Sequence, residues 1–182
     1  MSNQCLKDDF SGICMPGYYV YLKLPSFLRQ WLIHRHGGNE PVELIHGSIE
    51  SMLLERVTMM PPDNVKPARQ QEGELAVCIP KSKYHDIRYC NYVSEIGKKA
   101  FVELLENDFA IDVWNFLNVF GNVNKTRKYL IYAFMEQHGI VEDGTCWDDI
   151  AKIYRHKRNI FLTNQKRRER PLLSKRIEHG KR

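Results

Sequence analysis

The sequence predicts an α+β fold, predominantly helical, on three observations. Tyr19–Leu24 ("YVYLKL") alternates apolar with other side chains, the two-residue period of a strand, and Leu75–Ile79 ("LAVCI") is a short apolar run whose Leu75, Val77 and Ile79 repeat that spacing. Most other apolar residues recur at three- and four-residue spacing, as in amphipathic helices. With 182 residues, 43% of them hydrophobic, the chain can fill one sizeable core or two small ones without a metal or disulfide staple.

Residues 1–17 have no clear period and read as a flexible arm. In the first strand Val20, Leu22 and Leu24 share one face, and Tyr19, Tyr21 and Lys23 the other. Pro25 and Ser26 suit a helix start, because proline in the first turn gives up an N–H that has no partner there. Phe27, Leu28, Trp31 and Leu32 continue at helical spacing until "HGGNEP". A second helix is predicted from about Pro41 to Val57, burying Leu44, Ile45, Met52 and Leu53. Residues 61–74, proline-bearing and with little to bury, read as a linker between a strand-helix-helix unit at 18–60 and a second one at 75–120.

Offset by 55 positions, Val20, Leu22, Leu24 and Pro25 fall on Leu75, Val77, Ile79 and Pro80. Both units therefore read strand, proline, helix candidate. After "RYCNY", the stripe Val93, Ile96, Gly97, Ala100, Phe101, Leu104, Leu105 predicts a helix. Another is expected over Asp108–Phe120, with Ala110, Val113, Trp114 and Leu117 on one face and "GNVN" as its end. A helical C-terminal region at 121–160 follows, then a basic tail at 161–182. Its first helix runs from Asn124 or Thr126 to His138, with Leu130, Ala133 and Phe134 inward. Thr145 is the expected cap of the next, whose stripe is Trp147, Ile150, Ala151 and Tyr154. Whether that helix passes Arg158 or breaks near Asn159 is left open by the sequence.

The net charge of +5 is unevenly placed. From Arg155 to Arg182 eleven Lys/Arg stand against Glu169 and Glu178. A near-neutral body with a basic end is the electrostatic footprint of a surface that neutralises phosphates and releases counterions. The alternatives are a solvated tail that aids solubility and a tail that docks an acidic protein.

A short strand followed by two helices, present twice, resembles the ribbon-helix-helix family of DNA-binding proteins. That resemblance covers roughly residues 18–106. It implies that the two strands pair as an antiparallel ribbon, within one chain or between the chains of a homodimer, and that outward side chains read bases. On the first strand the readers would be Tyr19, Tyr21 and Lys23; Ala76 and Cys78, in the matching places on the second, are poor readers. Separately, "DDIAKIY" looks like the first helix of a helix-turn-helix with residues 160–170 as a basic recognition helix, although Arg155 and His156 stand where the turn wants glycine and an apolar residue. A long amphipathic helix with a basic extension is the other reading. Either one puts Arg155, Lys157, Arg158, Lys166, Arg167, Arg168 and Arg170 where phosphate contact is natural. The strand-proline-helix opening, "GKKAFVELLENDF" and the basic end also look like small proteins carried by phages and mobile elements.

Enzymatic signatures are missing. The sequence contains no phosphate-binding GxxxxGK[ST], no GxGxxG after a strand and no GxSxG. His34, His36, His46 and Cys90 suggest metal ligands, but His-x-His on a helix sets the rings about 200° apart. Asp148/Asp149 and Glu103/Glu106 read as caps or solvated faces. Five cysteines, 5, 14, 78, 90 and 146, form no CxxC pair and read as reduced thiols, with Cys78 and Cys146 packed inside. Neither a signal peptide nor a membrane span is evident, so the expected location is cytoplasmic. The expectation is a non-catalytic DNA-binding protein, such as a regulator or accessory factor of a mobile element, with no cofactor, no metal and double-stranded DNA as partner. The alternatives are a scaffold protein with a basic docking tail and an RNA-binding protein.

Overall fold

The computed structural model describes residues 18–63, 65, 69–82, 86–118 and 125–179, with side chains to 168. The expectations for residues 1–17, for Phe120 and "GNVN", and for the tail beyond 179 lie outside the described residues. Among them five helices and two antiparallel strand pairs form a predominantly helical α+β fold, as the periodicities predict. The chain divides into two compact units, Met1–Glu106 and Asn107–Arg182.

The first unit is built on β1 (Tyr19–Lys23) and α1 (Ser26–Arg35), then α2 (Ile49–Val57), β2 (Thr58–Met59), β3 (Glu74–Cys78) and β4 (Tyr92–Val93). Strands β1 and β3 pair antiparallel as a ribbon, with Tyr19 opposite Cys78 and Lys23 opposite Glu74. Cross-strand partners share a face. Val20, Leu22, Leu75 and Val77 all face inward and are buried. In α1 the predicted stripe of Phe27, Leu28, Trp31 and Leu32 is buried too.

Several expectations are corrected here. The helix predicted for Pro41–Val57 begins only at Ile49, because residue 42 is used elsewhere. Val42 N–H donates to the Ala76 carbonyl at 2.9 Å and the Cys78 N–H to the Val42 carbonyl at 2.8 Å, so Val42 supplies β3 with a second edge partner. Ser48 then caps α2, its hydroxyl accepting from the Ser51 N–H. Rephased in this way, α2 buries Glu50, Ser51 and Leu54, and leaves Ile45 and Met52 exposed. The stretch expected as a linker instead joins β2 to β3 inside one unit, and its last residue, Glu74, opens β3. No helix follows Pro80 among the described residues, which departs from the second strand-helix-helix pattern; a turn around Ile87 leads into β4, and β4 pairs with β2.

Helix α3 (Glu95–Leu117) runs as one element where two were expected, and the unit boundary falls within it. Of its buried residues all but Ala110, namely Gly97, Phe101, Leu105, Phe109, Val113 and Leu117, stand four apart. Each four-residue step drifts about 40° around a helix, so this stripe winds through about 200°. Ile96 is consequently 83% exposed. The predicted break at Asp108 has no chemical basis, since neither glycine nor proline interrupts Phe101–Leu117.

At the start of α3, the Gly97 N–H donates to the Ser94 hydroxyl at 3.1 Å, and a Cβ at Gly97 would meet Val93 Cγ1 at 3.1 Å and Val57 Cβ at 3.2 Å. Glycine to alanine in a helix ordinarily stabilises by about 1 kcal/mol. Here Gly97→Ala is expected to destabilise by about 1 to 2 kcal/mol, since overpacking against a β-branched side chain outweighs the propensity gain. A urea midpoint at or above that of the parent chain would show that the three elements do not meet this closely.

The first unit also buries a charged group. Glu50 is fully buried, with Oε1 3.0 Å from Arg35 Nε and 3.9 Å from His36 Nε2. His36 Nδ1 accepts the Ile45 N–H at 3.1 Å, which assigns the ring proton to Nε2 on the Glu50 side. Burial lowers the His36 pKa; Glu50 opposes this and Arg35 adds to it. A folded pKa below the unfolded value means that the unfolded chain takes up the proton first as pH falls. Stability is therefore expected to decline as pH drops below about 6.5, by no more than about 1.4 kcal/mol per pH unit for one proton. Urea midpoints at pH 7.5 and 5.5 should differ more for the parent chain than for His36→Asn, which keeps an acceptor but cannot protonate.

In the second unit, α4 (Arg127–Gln137) and α5 (Cys146–His179) pack with the later turns of α3. Thr126 caps α4 through the Tyr129 N–H, within the predicted range, and Gly139 ends it at φ +64°. Phe109, Phe134, Ile131 and Ile150 are buried without exposure. The expected Thr145 cap of α5 is displaced: Asp143 Oδ1 accepts from the Cys146 N–H at 3.1 Å and Glu142 Oε2 from the Trp147 N–H at 3.1 Å. A carboxylate is the stronger acceptor at a helix N-terminus, where it also meets the positive end of the dipole. Cys78 and Cys146 are buried, as expected.

Candidate nucleic-acid interface

Helix α5 is unbroken from Cys146 to His179, which is the long helix with a basic extension and not the helix-turn-helix: Arg155 and His156 lie inside a helix, and residues 160–170 are its continuation. The reason is local. Residues 155–168 contain neither glycine nor proline, the two residues that most readily end a helix. At 1.5 Å per residue α5 is about 50 Å long. Its first turn carries Asp148 and Asp149, suited to the dipole, and Asp149 pairs with Lys152 at 2.9 Å.

Beyond that turn the surface is basic. Arg155, Arg158, Lys166, Arg167 and Arg168 are exposed. At 100° per residue Arg155, Arg158 and Lys166 fall within about 80° of one another, forming one stripe. Lys157 is half-buried and donates to Asn107 Oδ1 at 3.1 Å. Arg170 lies on α5 beyond the described side chains.

The second unit adds cations that sequence reasoning passed over. Lys125, Arg127 and Lys128, all exposed, surround the start of α4, whose first turn has no acidic residue to balance them. Cations there oppose the helix dipole and cost stability while raising the local positive potential. The Arg127 guanidinium sits 5.5 Å from the ring centre of Tyr154 on α5, so the cluster joins the basic stretch that starts one residue later. The "KTRKY" run was visible in the sequence as a signal; its nearness to Tyr154 was not.

Aromatic rings back this surface. Trp114 on α3 stacks on Tyr154 at 5.9 Å and 28°, and lies 5.4 Å from Phe161. Tyr154 and Phe161 are seven residues apart and so share a face of α5.

The ribbon candidates belong to the first unit. Tyr19 and Tyr21 are half-buried, their rings 6.4 Å apart; of the three reader positions only Lys23 is exposed. Ala76 and Cys78 opposite the tyrosines are buried, so β3 offers no side chain for reading at those places. The residues whose types suggest metal ligands scatter: His34 and His46 are exposed, His36 is engaged as described, and Cys90 is half-buried. Among the described residues no group of three or more His, Cys, Asp or Glu could hold a metal, and no helix is long and apolar enough to cross a membrane. No protein-family model, curated protein or solved structure matches this chain.

Proposed function

We propose that this chain binds DNA without catalysis, through the basic surface of its second unit. The observation that supports this best is the exposed cation stripe of unbroken α5, flanked by Lys125, Arg127 and Lys128 at the start of α4. A helix with its side chains is 10–12 Å across, comparable to the DNA major groove at about 12 Å. Arginines and lysines along one such helix suit phosphates, which position a protein on a duplex without specifying sequence. The ribbon plays at most a small part in this mechanism, because only Lys23 of its readers is exposed.

Fluorescence anisotropy with a labelled random duplex tests the reading, comparing the full chain with a variant in which Arg127, Arg155, Arg158 and Lys166 are all glutamine. Binding by the parent chain that weakens with salt, and its loss in the variant, is the expected result. Equal binding by both, or none by the parent chain at low salt, overturns it. The second outcome would favour a protein partner for the exposed Ile160, Phe161 and Leu162.

A further inference from the structure

We infer that Phe161, backed by Trp114 and Tyr154, is a stacking platform for an unpaired base, so that the second unit takes single-stranded stretches of nucleic acid. This deepens the DNA-binding reading and rests on it. Phe161 is 54% exposed, whereas Phe109 and Phe134 in the same unit are fully buried. Its ring is nonetheless held in place, 5.4 Å from Trp114, which itself stacks on Tyr154. A ring that is half open and fixed from behind can accept a planar partner at little ordering cost.

What surrounds the ring decides the kind of partner. On a helix the neighbours of a residue lie three and four positions away, with a second turn at seven. For Phe161 these are Lys157, Arg158, Asn164, Gln165 and Arg168: three cations and two amides, and no carboxylate. An apolar protein partner would call for an apolar rim on this same face, whereas the exposed Ile160 and Leu162 stand about 100° to either side of it. A polynucleotide strand calls for an aromatic face for the base, cations for the phosphates and amides for base edges or sugar. In a duplex the base faces are already stacked on one another, so only an unpaired base can use the ring. DNA and RNA strands share this chemistry.

The test measures full-chain affinity for labelled oligo(dT), oligo(U) and a random duplex. The comparison is between the parent chain, Phe161→Leu, which keeps apolar bulk but lacks the π face, and Phe161→Tyr, which keeps it. Phe161→Leu is expected to weaken oligo(dT) or oligo(U) binding by about 5- to 100-fold while duplex affinity stays within twofold and Phe161→Tyr binds as the parent does. The strand that responds identifies the source of the base. If Phe161→Leu binds both oligonucleotides as tightly as the parent chain, or the parent binds only duplex, the platform is refuted and the phosphate reading stands. If the parent binds none of the three, both fail. Melting curves of the variants separate a stacking role from a merely structural one, since loss of packing on Trp114 would lower the melting temperature and affect duplex and strand alike.

Discussion

Replacing Arg127, Arg155, Arg158 and Lys166 together by glutamine is expected to flatten the salt dependence of duplex binding. Each phosphate neutralised by a cation releases counterions, and log K falls with log salt by about 0.9 per contact. Four lost contacts should therefore make the slope shallower by about 3 to 4. At 50 mM salt, where screening is weak, affinity should fall by about 100-fold or more. Folding stability should hardly change. Exposed substitutions away from caps and cores usually stay within about 0.5 kcal/mol, and removing Arg127 takes a cation from the unfavourable end of the α4 dipole. A slope that changes by less than one unit would exclude these side chains as the phosphate-binding set.

Phe134→Ala is expected to have the largest effect on stability. Phe134 is fully buried in the second unit, with its ring edge-to-face to Phe109 at 5.7 Å and to Phe116 at 5.5 Å, and 4.3 Å from the His138 ring. Truncating such a ring leaves a cavity between helices that can relax only in part. The cost is about 3 to 5 kcal/mol, against a total stability of about 5 to 15 kcal/mol for an ordinary domain. At roughly 2 to 4 °C per kcal/mol, the melting temperature should drop by about 10 °C. A urea midpoint that implies a loss below about 1 kcal/mol would mean that these four rings do not meet in solution.

Elements with their own periodicity are legible in the sequence alone. α1 follows from Phe27, Leu28, Trp31 and Leu32, and α4 from Leu130 and Phe134 between Thr126 and Gly139. The ribbon follows from one alternating stretch and one apolar run, whose inward residues had to meet another apolar face. Illegible were the places where a long-range partner competes with local preference. Val42 leaves a helix-compatible stretch to satisfy the backbone of β3, and that choice moves the start of α2 and turns Ile45 and Met52 outward. β2 and β4 are two residues each, too short for any period. The winding stripe of α3 mimics two helices when it is scored against a single face.

The candidate interface divides in the same way. Its cations along α5 were countable from the sequence alone, because charge is a property of the residue and a long basic run cannot be buried. The sequence by itself thus determined the helical α+β class, the paired ribbon and the basic end. Tertiary structure decided that Arg127 joins α5 over Tyr154, and that Trp114 supports Phe161 from a helix 47 positions earlier. Those are contacts between residues distant in sequence, set by how the helices pack, and periodicity reports only which face each helix turns inward.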